Sequence, residues 1–259
     1  MRFHPLREPL GYAHGVVKGS IRMMENVRTQ AHVTVAQPSK ILRAYRATRT
    51  LVSKRVAKII VPDAPHFDPE STVFFESIIT QAKNYLEYGS GGSTLLAHRY
   101  VKHLVSVESD RRFLRAVERK LGKQRLGAET TLIHVNIGLT EEWGKPIFTT
   151  PTPRRLCRWR KYAQSPWSYF RRLGITPDLI LIDGRFRAAC ALESLLNLPD
   201  GSECRILMDD YVTRQEYRVV EEVADLTEMK GRMAVFRMRP HTDRTRCKQL
   251  AEQLTSDYR

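Results

Sequence analysis

The feature that most constrains this chain is residues 84–97, NYLEYGSGGSTLLA. A short apolar run ends in Gly89-Ser90-Gly91-Gly92-Ser93 and passes at once into a helical pattern. Glycine there permits a tight turn, and it lets a ligand approach the main chain where a Cβ would otherwise stand. Such a turn also leaves unpaired N–H groups at the start of the helix that follows.

The surrounding pattern supplies a sheet for that unit. Asp68 is placed to cap a helix reaching to about residue 82, with Pro69 in its first position and Glu70 in its first turn. Val73, Phe74, Ile78 and Ile79 are its expected buried residues. Strands are expected over 84–88, 103–108, 131–135, 178–183, 204–208 and 233–238, and helices over 94–100, 111–121, 187–198 and 214–224. Near-continuous apolar strands alternating with helices predict an α/β fold. The expected architecture is a Rossmann-like, doubly wound, mostly parallel sheet with helices on both faces. In such sheets ligands bind beyond the C-terminal strand ends, where the strand order reverses.

Charge divides the chain. Of the formal net charge of +15, the first 60 residues hold +10, from twelve Lys or Arg against Glu8 and Glu25. The expected organisation is a basic helical extension and linker over 1–65, a main domain over 66–240 with an insert at 138–177, and a polar C-terminal tail over 241–259. Ser39 can cap a helix over 40–60, with Ile41, Tyr45, Val52, Val56 and Ile59 along one side. That stripe can pack on the body, lie on an anionic membrane surface, or accompany contacts to a nucleic-acid backbone. An Arg-rich, acid-poor start also resembles an organellar transit peptide. Four scattered cysteines without a CxxC pair suit a reducing compartment, so the expected location is the cytoplasm, with peripheral membrane contact through residues 40–60 as a variant.

The glycine turn departs from two phosphate-binding patterns. A dinucleotide G-x-G-x-x-G would need glycine at 94, which is Thr94, and no G-x-x-x-x-G-K-[ST] is present. Instead Glu87 stands two residues before Gly89. A carboxylate there repels a pyrophosphate and suits a ligand carrying an ammonium group.

In these residues the chain resembles the class I S-adenosylmethionine-dependent methyltransferases, whose first motif is an acid followed by G-x-G after strand one, here Glu87, Gly89 and Gly91. The resemblance implies S-adenosylmethionine as cofactor, bound along Ser90, Gly91, Gly92 and Ser93 and near Asp183. It implies a ribose-binding acid at the end of strand two, here Glu108, with Asp110 nearby. Asn136 occupies the place where the family often has an acid near the adenine.

Asp183-Gly184 after strand four and Asp209-Asp210-Tyr211 after strand five are similar to small-molecule O-methyltransferases, sugar-modifying members among them. In metal-dependent members such acids bind Mg²⁺, which here would fall to Asp183, Asp209 and Asp210. The metal-free version makes Asp183 or Asp209 a general base. Arg185 and Arg187 either pair with the aspartates and leave no room for a metal, or hold an anionic acceptor. Asp210, Tyr211 and Trp143 are the other expected acceptor contacts, with Tyr217 and Glu221 close by. His98, His103 and His134 show no ligand spacing, and His134 ends a strand near the site.

The insert, RRLCRWRKYAQSPWSYFRR, interleaves arginines with Trp159, Tyr162, Trp167, Tyr169 and Phe170. It reads as core, as a lid over a small or glycan acceptor, or as a surface for nucleic acid. Three functions are therefore compatible with the sequence. They are O-methylation of a small molecule or glycan precursor, RNA methylation, and a membrane-surface or scaffold role on a nucleotide-binding fold.

Overall fold

A computed structural model of the chain describes residues 59–124 and 127–259, together with helical residues 42, 44, 45 and 47–50. All belong to the unit Ser39–Arg259. Residues 1–38 and most of the helix expected over 40–60 lie outside the described residues, and Ile59 and Ile60 are not helical. Among the described residues no helix is long and apolar enough to cross a membrane.

The elements are α1 (Pro69–Ile79), β1 (Asn84–Tyr88), α2 (Gly92–Ala97), β2 (His103–Glu108), α3 (Arg111–Leu121), β3 (Glu129–His134), α4 (Pro153–Gln164), α5 (Trp167–Leu173), β4 (Leu179–Ile182), α6 (Arg187–Asn197), β5 (Arg205–Met208), β6 (Ala224–Lys230), β7 (Met233–Met238) and α7 (Arg244–Gln253). The sheet order is β3-β2-β1-β4-β5-β7-β6. The first five strands are parallel, and β7 runs antiparallel to both β5 and β6. The fold class is the Rossmann-like one the strand pattern predicts. Chain order reverses between β1 and β4, so the crevice expected for a ligand opens above those two strands.

Helices cover both faces. Phe75, Ile79, Tyr85, Leu104, Leu181 and Leu207 fill one side, against α1 and α2. Leu86, Tyr88, Trp159, Tyr162, Ile180 and Ile182 fill the other, with residues of α6. Successive residues of β1 thus reach opposite cores, which is why the central strands are apolar without alternation. The cap of α1 is as expected, with Asp68 accepting from the Glu70 and Ser71 N–H groups. Its buried face is rotated, however: Val73 is 68% exposed, and Phe75, with Ile78 and Ile79, points inward.

The insert resolves as core. Trp159, Tyr162, Trp167 and Phe170 are buried. Their polar tips are satisfied internally, Trp159 Nε1 on the Ile137 carbonyl at 3.0 Å and Trp167 Nε1 on Tyr88 Oη at 3.1 Å. Arg154, Arg160, Lys161, Arg171 and Arg172 face solvent. These aromatics are therefore unavailable to stack on bases or sugars.

Three expected boundaries shift. The 241–259 segment is not a tail, because it forms α7 and buries Cys247 and Leu250 against α6. The helix expected over 214–224 is a 3₁₀ turn over Gln215–Glu222, and β6 follows it directly. The linker at 61–65 is a packed strap rather than a free boundary. Val61 is buried beside Leu95 and Val117, and Lys120 Nζ bonds the Val61 carbonyl at 2.7 Å and Asp63 at 2.6 Å. Ala64 and Pro65 then lie directly on Gly92, where a Cβ would come within 1.9 Å of the Ala64 oxygen.

Candidate functional site

The glycine turn after β1 is built by two different requirements. Gly89 has φ +100°, and a Cβ on it would stand 2.8 Å from the Gly184 nitrogen. The ends of β1 and β4 thus touch through bare backbone, and no other residue type fits at Gly89. Gly91 is extended, with φ 172°, and a Cβ on it would meet nothing within 4 Å. Its open side is the space over the turn that a cofactor can fill.

Glu87 lies beneath this turn, fully buried. Its carboxylate accepts from Ser93 Oγ at 2.8 Å, from Tyr85 Oη at 3.1 Å and from Thr94 Oγ1. Burial pushes its pKa up from 4.5 to about 7, although the hydroxyl donors of Thr94, Ser106, Ser93 and Tyr85 oppose the shift. The expectation that Glu87 meets the ligand's ammonium is therefore corrected. The acid anchors the start of α2 from below, and Ser93 belongs to that anchor. Ser90 Oγ is bonded to Ser106 Oγ at 2.6 Å.

Glu108 ends β2 at the crevice. Its hydrogen bonds from the described residues all reach Oε1, from the Ser109 N–H and Oγ and from the Asp110 N–H at 2.7 Å. Burial raises its pKa, opposed by those backbone and side-chain donors. Capping of α3 falls to Asp110, which accepts from the Arg112 and Phe113 N–H groups. Glu108 is thus held through one oxygen, Oε1, at the end of β2. Asn136 is exposed and accepts from the Gly138 N–H at 3.0 Å. With His134, Arg158 and Lys161 it lines a groove of about 550 Å³ beside β3.

Across the crevice three aspartates converge, with one carboxylate oxygen from each of Asp183, Asp209 and Asp210 lying within 4.8 Å of the others. Two arginines already hold them. Arg232 grips Asp209 with Nε at 2.9 Å and Nη2 at 2.7 Å, and reaches Asp210 at 3.2 Å. Arg187 reaches Asp183 at 3.0 Å and Asp210 at 3.2 Å, and also donates to the carbonyls of Gly184 and Asp209. This donor set does not fit the expected Mg²⁺, because its charge is neutralised by guanidinium groups seated among the oxygens. Arg187 is fully engaged in joining the ends of β4 and β5, which corrects its expected role as an acceptor contact.

Asp209 is 1% exposed at its side chain and paired on both oxygens, so it is not the base expected there. Asp183 keeps 30% of its side chain accessible. Burial, reinforced by Asp209 and Asp210 and opposed first by Arg187, pushes its pKa well above the usual carboxylate range. Tyr211 is 6% exposed, donates to Glu221 and packs on Phe236, so it is core rather than an acceptor contact. Trp143 is 71% exposed and lies against His66, which follows the strap, with ring centroids 5.7 Å apart and the planes tilted by 48°. The adjoining Gly144 stands beside Ser109 Oγ and Arg185 Cγ, so this loop spans from the end of β2 to the end of β4.

Among the described residues the non-glycine residues with positive φ are Trp143, Phe186 and Asp210, in the loops after β3, β4 and β5. Left-handed backbone in non-glycine residues concentrates where function over-determines a conformation, and all three flank this crevice. Arg232 and His66 are site residues that the sequence did not disclose. Arg232 lies at the β6–β7 turn, and its Nη2 also holds the His66 carbonyl at 2.7 Å.

This strand order, with an open glycine turn at the reversal and an acid ending β2, defines a doubly wound α/β domain of the methyltransferase class. A solved methyltransferase-like protein from Silicibacter pomeroyi is 30% identical, with a TM-score of 0.65 over 76% of this chain and 100% of its own. The chain belongs to the class I S-adenosylmethionine-dependent methyltransferase family. Two other solved proteins are similar at lower levels. Podospora anserina methyltransferase PaMTH1, bound to S-adenosylhomocysteine, is 15% identical with a TM-score of 0.41 over 78% of this chain and 98% of its own. N-methyltransferase NodS from Bradyrhizobium japonicum, in complex with the same ligand, is 10% identical with a TM-score of 0.42 over 76% and 98%. No protein-family model matches the chain, and no curated protein sequence is similar to it.

Proposed function

We propose that the protein transfers a methyl group from S-adenosylmethionine to an oxygen of a small molecule or glycan precursor, without a metal ion. The observation that carries this reading is the open side of Gly91, flanked by the acid that ends β2. The residues present fit the cofactor: the main chain of Gly89–Gly91 would line it, and Glu108 Oε2 would accept from its ribose hydroxyls. S-adenosylmethionine supplies an activated methyl on a sulfonium sulfur.

The rest of the task is alignment and removal of the acceptor's proton. Asp183 is the group suited to take that proton, being accessible and raised towards the working pH. Arg187 holds it in place through the 3.0 Å ion pair, and Arg232 keeps Asp209 fixed behind it. Trp143 and His66 form a rim that can restrict water.

The test is incubation with methyl-labelled S-adenosylmethionine and a panel of hydroxyl-bearing small molecules, beside total RNA. Label should pass to a small-molecule oxygen. Asp183→Asn should slow that transfer by about a hundredfold, within the usual range for a general base, while S-adenosylhomocysteine affinity is retained. Label passing only to RNA, or full activity in Asp183→Asn, would contradict the reading.

A further inference from the structure

The geometry points to the groove beside β3 as a docking site for an extended acidic segment of a partner protein, added to the sheet as one further strand. This surface does not depend on the methyl-transfer reading.

β3 ends the seven-stranded sheet and pairs with β2 alone. The Glu129 and Val135 N–H groups donate to the Lys102 and Glu108 carbonyls, both at 2.9 Å. A strand has a period of two, so Thr130, Leu132 and His134 turn their N–H and C=O groups away from β2. Among the described residues no other strand pairs with them. Such an open row of donors and acceptors is a template for another extended chain.

The groove of about 550 Å³ runs along the C-terminal end of that edge. One wall is residues 133–136, and the other carries Arg158, Lys161 and Gln164 of α4 with Ser165 just after it. Residues 133–136 span about 10 Å of extended chain, and Arg158 to Gln164 spans about 9 Å of helix. The two walls therefore match in length, over a stretch that suits a few residues of an added strand.

Charge decides what fits there. No Asp or Glu lines the groove, and Arg158 and Lys161 make no ion pair among the described residues. Burial lowers the pKa of His134, and Arg111 and Arg115 of α3 add to the lowering, opposed by the Ser109 carbonyl and Asp110. Positive charge thus reaches the groove from the α3 side as well. Glu129, the acid of β3, lies at the other end of the strand, 3.2 Å from His103.

A second copy paired edge to edge would set these cations against themselves, and residues 1–60 of this chain are strongly basic. Nucleic acid would meet the cations and leave the strand edge unused, and no Trp, Tyr or Phe lines the groove to stack bases. An extended acidic peptide uses both walls, with its main chain on β3 and its carboxylates on Arg158 and Lys161.

The experiment is fluorescence anisotropy of the full chain with a labelled peptide of alternating Val and Glu, about eight residues long, which sets every Glu on one face of a strand. Salt is held at roughly 0.15 M to screen diffuse attraction. Two further probes are the same peptide methylated on every peptide nitrogen, which keeps the charge and removes the main-chain donors, and a labelled oligothymidylate. The parent should bind the plain peptide at least about tenfold more tightly than the methylated one. Arg158→Glu/Lys161→Glu should weaken the plain peptide at least about tenfold, because attraction becomes repulsion. Arg158→Gln/Lys161→Gln should fall between that variant and the parent. Both side chains lie outside the core, so all three chains should share one Tm. Saturating S-adenosylhomocysteine should leave peptide binding unchanged.

Equal binding of the plain and methylated peptides, or equal binding by the parent and the Glu variant, would overturn strand addition at this groove. So would a parent that binds neither peptide. Tighter binding of oligothymidylate, lost in the Glu variant, would make this a nucleic-acid surface instead. Competition by S-adenosylhomocysteine would return the groove to the cofactor site, and either of these last two results overturns the assignment.

Discussion

The two halves of the crevice treat acids in opposite ways. Above β1 and β2, Glu87 and Glu108 are held by neutral donors only, hydroxyls and backbone N–H groups. Above β4 and β5, Asp183, Asp209 and Asp210 are held by the guanidinium groups of Arg187 and Arg232. Neutral donors position a carboxylate without neutralising its charge. Arginines consume that charge and turn the carboxylate into scaffold. In the first half Glu108 is the acid at the crevice, and Glu87 is enclosed beneath the turn as the anchor of α2. In the second half the arginines hold the aspartates in place, and Asp183 keeps 30% of its side chain accessible.

The largest effect is expected where the halves touch. Gly89→Val would force a branched Cβ into the Gly184 backbone, at a φ of +100° that L residues rarely adopt. Neither backbone can give way, so the loss should exceed about 4 kcal/mol, seen as failure to fold or a collapsed denaturation midpoint. A variant that melts like the parent would mean that β1 and β4 do not meet there.

Next in size is Arg232→Met, which leaves the buried Asp209 without its cation. Breaking such a pair from one side costs about 3–5 kcal/mol, readable by urea denaturation. Adding Asp209→Asn should restore much of the loss. No restoration would mean that Arg232 acts through the strap at His66 instead.

A smaller effect separates Glu108 from its neighbour. Glu108→Ala should weaken S-adenosylhomocysteine binding by about 1.5–3 kcal/mol, tenfold or more in affinity, with little change in the ligand-free Tm. Asp110→Ala should do the reverse, lowering stability by about 1 kcal/mol through loss of the α3 cap while binding is kept. Equal behaviour of the two variants would remove the distinction between ligand acid and cap.

The smallest effect is a slope. The folded-state pKa of Glu87 is raised from 4.5 to about 7, so the folded chain holds that proton more tightly than the unfolded chain. Its contribution is fully present below about pH 4.5 and is lost as pH rises through 7. The parent's stability should therefore fall relative to Glu87→Gln between pH 5 and 8, by no more than about 1.4 kcal/mol per pH unit. Parallel stability curves would show that Glu87 is ionised throughout.

How much of this was legible in the sequence follows from how local each signal is. β2 and α3 lie where the pattern puts them, because the apolar run ends at Glu108 and the helix has its own cap in Asp110. The glycine turn and the acid after β2 were equally plain, being contiguous motifs at the ends of regular strands. β6 was not: its sequence, ADLTEMK, is mostly polar and its residues are largely half-buried or exposed. Such an edge strand lacks the apolar run that marks the others. Missing β6 hid the hairpin that carries Arg232 to Asp209, a contact between residues 23 apart in sequence. That arginines would pair with the aspartates was visible, but which of Arg185 and Arg187 did so depended on the fold. The insert's aromatics were ambiguous for a related reason, since interleaved arginines describe one face of α4 and say nothing of what the other face covers.

The central claim is that the open side of Gly91 is the cofactor's place, and a calorimetric titration of S-adenosylhomocysteine into the parent chain and into Gly91→Val tests it most directly. A Cβ at that position meets no protein atom within 4 Å, so the variant should fold and melt like the parent. Its branched side chain would occupy the ligand's space, so the account predicts a clear binding isotherm for the parent and none for the variant. A Gly91→Val chain that binds S-adenosylhomocysteine as the parent does, or a parent that does not bind it, would contradict the account.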